Sequence, residues 1–169
     1  MDQSPTHQAE IWDGDYQVDL DVRRTIDVDV DAEAIAVAAA TFDGVRREIE
    51  HHFGIRLRGR EGPGFLRYLP GGFYRRHRDT LDEADGVWTR RISAVLFLTT
   101  AVSSAADGHC VGGALRLFDE RGAALDIQPV AGLLVAFPAD IPHEVLPSWP
   151  ARATWSSTGS IEEIGRAHV

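Results

Sequence analysis

Between Asp31 and Phe53 apolar side chains recur at steps of three and four: Ile35, Ala38, Phe42, Val45, Ile49 and Phe53. That spacing puts them on one face of an α-helix. Asp31 stands where an N-cap belongs and Gly54 where a left-handed stop does, so one long helix over residues 31–54 is predicted. His51 and His52 fall in its last turn, where a helix end favours positive charge. Beyond Gly54 the period vanishes. Short apolar runs, FLRYL, FYRRH, ISAVLFLTT, ALRLF, ALDIQPV, GLLVAF, HEVLP and ARATW, alternate with turns such as PGG, PVAG, FPADIP and SWP. Roughly eight strands without helix-length crossovers imply antiparallel pairing in a jelly-roll or barrel, with the helix packed on its outside. Upstream, VDLDVRRTIDVDVD alternates apolar and charged residues, the pattern of an edge strand or an extended arm. DTLDEADG and SSAADGHCVGG read as surface loops, with Gly112 and Gly113 in a tight turn, and SSTGSIEEIGRAHV as a polar tail.

With 169 residues, 44% of them hydrophobic, the chain can bury the core of one domain. The reading is a single domain over 1–169, divided into an arm at 1–30, the helix at 31–54 and a β-barrel at 60–157. A formal charge of -9 argues against nucleic acid or an anionic membrane as partner. The single Cys110 excludes an intramolecular disulfide and gives no sign of an oxidising compartment. The first residues lack a basic start followed by an apolar run, and no segment is apolar for long enough to span a bilayer. A cytoplasmic location is the expectation, with the oligomeric state open.

Against this acidic background RRHR at 75–78 stands out, and it leads into His77 and Asp79. In a strand, residues two apart share a face, so an imidazole and a carboxylate could aim at one point. Alone, such a pair is more often a solvated strand end than half of a metal site. A third ligand is at hand in His143, at the start of HEVLP. Two histidines and one carboxylate form the facial set of non-haem Fe(II) oxygenases, which leaves coordination positions open for a co-substrate. Nine residues further lies Arg152, whose planar fork suits a carboxylate in the same barrel mouth. Without the triad it would read as a surface arginine.

The ordered series FLRYLPGGFYRRHRD, RRISAVLFLTT, GGALRLF, PVAGLLVAFPADIPHEVLP and a distal arginine resembles the iron(II)/2-oxoglutarate-dependent dioxygenases of the prolyl 4-hydroxylase-like group. It spans residues 60–157, and the joint order of its motifs is far more specific than any one of them. The resemblance implies a double-stranded β-helix with Fe(II) on His77, Asp79 and His143. It implies 2-oxoglutarate on the iron, its far carboxylate on Arg152 and beside the Tyr68 hydroxyl, O2 as co-substrate, and room for ascorbate as reductant. The VRRT stretch before the helix also resembles the lead-in of that group. The activity implied is C–H hydroxylation, with a prolyl residue in a peptide or protein as the substrate, giving succinate and carbon dioxide. A free amino acid or other small metabolite is the alternative substrate. Tyr74, Arg76, Arg78 and Trp88 flank the triad in sequence and could line a substrate cleft with stacking faces and positive charge. Two readings from other classes stay open here: a cupin-like metal-binding barrel without oxygen chemistry, and a zinc hydrolase, which would have no use for Arg152.

Overall fold

A computed structural model describes residues 6–12, 16–80, 89–101, 110–150 and 158–167. The chain begins with β1 (Thr6–Gln8), β2 (Ile11–Trp12), β3 (Tyr16–Gln17) and β4 (Ile26–Val28), followed by α1 (Ala32–Phe53). Next come β5 (Gly59–Arg60), β6 (Gly64–Tyr68), β7 (Tyr74–His77), β8 (Thr89–Phe97), β9 (Cys110–Gly112) and β10 (Leu115–Phe118). The rest is β11 (Ala124–Ile127), β12 (Leu134–Pro138), β13 (His143–Val145), β14 (Ser148–Pro150) and β15 (Thr158–Ala167). One sheet runs β1-β4-β6-β15-β8-β12 with β5 added against β15, and a second runs β11-β10-β13-β7. The pairings of both are antiparallel. This is the mainly β, jelly-roll architecture that the turn-rich strand pattern predicts. Among the described residues no helix is long and apolar enough to cross a membrane.

The helix starts and stops where its caps require. The Asp31 carboxylate accepts the Ala34 N–H at 2.8 Å, and Gly54 takes φ 65°, ψ 29° with its N–H on the Glu50 carbonyl. A left-handed residue at that position is most easily a glycine. Ala38 and Phe42 are buried and cluster with Ala94 and Leu96 of β8. The buried stripe is narrower than the apolar period suggests: Ile35 is 43% exposed.

β8 explains why ISAVLF reads as an unbroken apolar run. Ala94 and Leu96 pack with the helix, while Val95 and Phe97 pack with Leu115 of β10 and Phe137 of β12. A strand buried on both faces shows no alternation. Its inward face also carries Ser93, buried at 3% exposure, and that position faces the site.

Four sequence readings change. SWP, predicted as a turn, is β14, whose Ser148 is buried and bonds the PGG turn through Gly71 N–H to Ser148 O at 2.6 Å and Ser148 Oγ to Leu69 O at 2.9 Å. A Cβ on Gly72 in that turn would stand 2.7 Å from the Leu69 carbonyl and 2.8 Å from that of Arg24, so only glycine fits. The segment read as a polar tail contains β15, in the middle of the large sheet between β6 and β8. Its backbone groups are satisfied by two neighbours, a pairing that no local pattern encodes. β4, read as an edge strand or an arm, lies inside the sheet between β1 and β6. Within SSAADGHCVGG, the end of the supposed loop is β9. The ARATW segment and most of DTLDEADG fall outside the described residues.

Candidate metal centre in the barrel mouth

His77 ends β7 and His143 begins β13, and the two stand opposite each other in register. Three residues of β7 span the length of two on β13, since Tyr74 pairs with Val145 while His77 pairs with His143. The extra residue is a β-bulge, which brings Tyr74 and His77 onto one face. Asp79 lies beyond the strand end. Strand alternation therefore does not aim it; its N–H donates to the Ala139 carbonyl at 2.9 Å and its Oδ2 accepts the Ser93 hydroxyl at 2.5 Å.

The ligand-type atoms of His77, Asp79 and His143 all lie within 4.8 Å of one another. Asp79 Oδ1 is 3.3 Å from His77 Nε2, and Oδ2 is 3.4 Å from His143 Nε2. Each imidazole uses its other nitrogen on the backbone: His77 Nδ1 is 2.8 Å from Arg75 O and His143 Nδ1 is 3.0 Å from Ile141 O. Carbonyls only accept, so both Nδ1 atoms carry the proton and both Nε2 lone pairs face the centre, the tautomer that metal-ligating histidines adopt. Burial works against the Asp79 charge, but once the imidazoles take up a second proton, the hydrogen bond from His77, the positive charges of His143 and His77 and the Ser93 hydroxyl outweigh it and hold its pKa at about 2. Burial shifts His143 below its ordinary value despite Asp79. A carboxylate and a neutral imidazole at neutral pH are the protonation states that a cation needs. The N, N, O donor set, convergent and pre-oriented, fits a divalent iron.

Around it, Tyr74 stacks on His77 with centroids 3.6 Å apart at 20°, and the Arg23 guanidinium lies 4.6 Å from the Tyr74 centroid. Arg76 lies 4.0 Å over Phe118. Phe137 meets the His143 ring edge-on at 4.8 Å. Arg90 grips Glu61 with two bonds of 2.7 and 2.9 Å and reaches toward the Asp79 carbonyl at 3.5 Å. Tyr68 is buried beside Leu66 and Ala9, with Tyr74 and Val145 packed against it. Arg152 and Trp88 lie outside the described residues. Sequence reasoning missed Ser93 and Phe137; the one available signal was a lone hydroxyl inside the run ISAVLF.

The model of the 2OG-Fe(II) oxygenase superfamily matches residues 63–160. The chain belongs to that superfamily. A prolyl-4-hydroxylase from Pseudomonas putida is 33% identical, with a TM-score of 0.68 over 88% of this chain and 74% of that one. That likeness places the oxygenase in the prolyl 4-hydroxylase-like group. Two more distant solved structures share its fold. A Trichoplax adhaerens prolyl hydroxylase, in complex with a hypoxia inducible factor oxygen degradation domain peptide fragment, has 21% identity and a TM-score of 0.65, over 85% of this chain and 63% of that one. A viral collagen prolyl hydroxylase from Paramecium Bursaria Chlorella virus-1, in its 2OG complex, has 18% identity and a TM-score of 0.60, over 86% and 78%. No curated protein matches the chain. The oxygenase is a 2-oxoglutarate-dependent dioxygenase with Fe(II), 2-oxoglutarate and O2 as its cofactor and co-substrates. The zinc-hydrolase and non-enzymatic readings give way to it.

Proposed function

We propose that this oxygenase hydroxylates a prolyl residue in a peptide or protein, with His77, Asp79 and His143 as the iron ligands and Arg152 and Tyr68 holding the far carboxylate of 2-oxoglutarate. The convergence of two strand ends and a carboxylate 64 positions from His143 carries this reading. In balance, 2-oxoglutarate, O2 and a C–H bond become succinate, carbon dioxide and a C–OH bond. Bound iron supplies the redox chemistry. The chain supplies the rest: Nδ1 protons held on backbone carbonyls orient both imidazoles, and Ser93 fixes one carboxylate oxygen. Buried Val95, Leu115 and Phe137 pack together behind the triad and give His143 an apolar backing. Residues 1–169 serve as one catalytic domain in this proposal, with the arm, helix and barrel as its parts.

Anaerobic addition of Fe(II) and 2-oxoglutarate to the apoprotein should produce a weak visible charge-transfer band that is lost in His77→Ala. Admission of air with proline-containing peptides should then release succinate and add the mass of one oxygen atom to the peptide. Oxygen added only to free amino acids offered in parallel would replace the peptide substrate by a small one. No band in the wild-type protein would remove the metal centre itself.

A further inference from the structure

Several arginines in the described structure end on carboxylates: Arg46 on Glu50, Arg60 on Asp43, Arg90 on Glu61, and Arg116 on Asp126 and Glu144. The three that interleave with His77 and Asp79 do not. Arg75 Nε donates to the Asp21 backbone carbonyl, Arg78 Nη1 to that of Asp140, and Arg76 rests on the Phe118 ring. Carbonyls and ring faces fix the direction of a guanidinium without cancelling its charge. All three are exposed. Of the acids near them, Asp21 is 3.7 Å from Arg24, the Asp119 carboxylate is turned onto the N–H groups of Arg121 and Ala123 while keeping its charge, and Asp140 meets Arg78 through its backbone carbonyl. Among the described residues, three guanidiniums without a carboxylate partner therefore stand beside the triad in a chain whose formal charge is -9.

A mostly apolar groove of about 380 Å³, with Asp119 in its wall, lies alongside. Phe118, beneath Arg76, is in its wall, as is Ile141, next to the Asp140 carbonyl that holds Arg78. So are Leu117, in register opposite His143, and Phe137, against the His143 ring. The far end reaches Phe53 at the end of α1.

We infer that the substrate of this site is an acidic peptide segment, whose carboxylates pair with Arg76 and Arg78 while a neighbouring apolar side chain enters the groove lined by Phe118, Leu117 and Ile141. The inference rests on the peptide-substrate reading above. An exposed pair with one carboxylate contributes modestly; two pairs with a directed guanidinium and an apolar anchor give selectivity between peptides.

The test uses the Fe(II)-loaded protein held anaerobically with 2-oxoglutarate and fluorescein-labelled peptides carrying one proline. The flank alternates leucine with aspartate, asparagine or lysine, or serine with aspartate. The aspartate–leucine peptide should bind about tenfold more tightly than the asparagine–leucine one at low salt, an advantage that fades as salt rises. The aspartate–serine peptide should lose most of it. In Arg76→Glu the order should invert toward the lysine–leucine peptide, a gain that misfolding cannot produce, and Arg78→Gln should flatten the preference. Equal binding of aspartate, asparagine and lysine flanks, or a preference unmoved by both substitutions, would overturn the inference. A peptide that binds with this preference yet gains no oxygen would refute the prolyl hydroxylase proposal while leaving the docking surface standing.

Discussion

Ser93 is a single hydroxyl in an apolar strand, and its position decides how Asp79 sits. Its 2.5 Å bond occupies one side of Oδ2 and, together with the Asp79 N–H on Ala139 O, leaves the carboxylate facing both imidazoles. Groups that orient metal ligands in this way typically affect affinity by about 10- to 100-fold. Ser93→Ala should weaken Fe(II) or Co(II) binding to the apoprotein by that factor, while Ser93→Thr, which keeps the hydroxyl, should restore part of it. Titration followed by the cobalt absorption bands checks this, and an unchanged affinity in Ser93→Ala would show that Asp79 is aimed by the backbone alone. His77, Asp79 and His143, which the fold brings together, could be proposed from the sequence because only a few residue types can ligate a metal. Ser93 was not, because a serine in a buried strand says nothing about which carboxylate it will meet.

At the level of elements, α1 and β8 depend on each other. Phe42 is 5% exposed and sits in the cluster with Ala94 and Leu96. Truncating such a side chain costs about 3–5 kcal/mol, whereas Asp31→Ala removes one cap bond and costs about 1 kcal/mol. Urea unfolding should show a large fall in midpoint for Phe42→Ala and a small one for Asp31→Ala, with the double variant near their sum because the sites share no partner. Equal small effects would mean that the helix is not anchored through Phe42. The helix was readable to within a residue at each end, since its period, cap and stop are all local. β15 was not: TGSIEEIGRA has weak alternation, and its place comes from pairing with β6 and β8, whose residues lie about sixty to a hundred positions earlier.

Across the whole molecule, the centre joins segments that are close only when the barrel is closed, so ligand binding and folding are coupled. A metal that binds the folded state alone raises stability, by about 3 kcal/mol when its concentration is a hundred times the dissociation constant. Fe(II) with 2-oxoglutarate, kept anaerobic, should therefore raise the melting temperature of the wild type and leave that of His143→Ala unchanged. The metal needs Asp79 ionised and both imidazoles neutral. Asp79 stays ionised down to about pH 2, so it does not limit binding near neutrality. His143 is held below its ordinary 6.5, so its neutral form persists to lower pH than in a free imidazole. The metal-induced rise should be full at pH 7.5, decline only at moderately acid pH and vanish before Asp79 protonates; a rise that disappears above pH 7 would contradict this order. In the metal-free protein the lowered Asp79 pKa acts separately: its contribution to stability is present above its ordinary 3.8 and is lost as pH falls toward about 2.

By itself the sequence determined the helix with its caps, the antiparallel β class, and the residue types able to ligate iron, because each is written in short-range periodicity or in the chemistry of single side chains. Tertiary structure alone decided which strand fills the centre of the large sheet, the β7 bulge that turns Tyr74 and His77 to one face, and the contacts that make Ser93 and Phe137 part of the site. Those depend on backbone hydrogen bonds and packing between segments far apart in the chain, and no local pattern records which distant partner a strand or a buried hydroxyl will find.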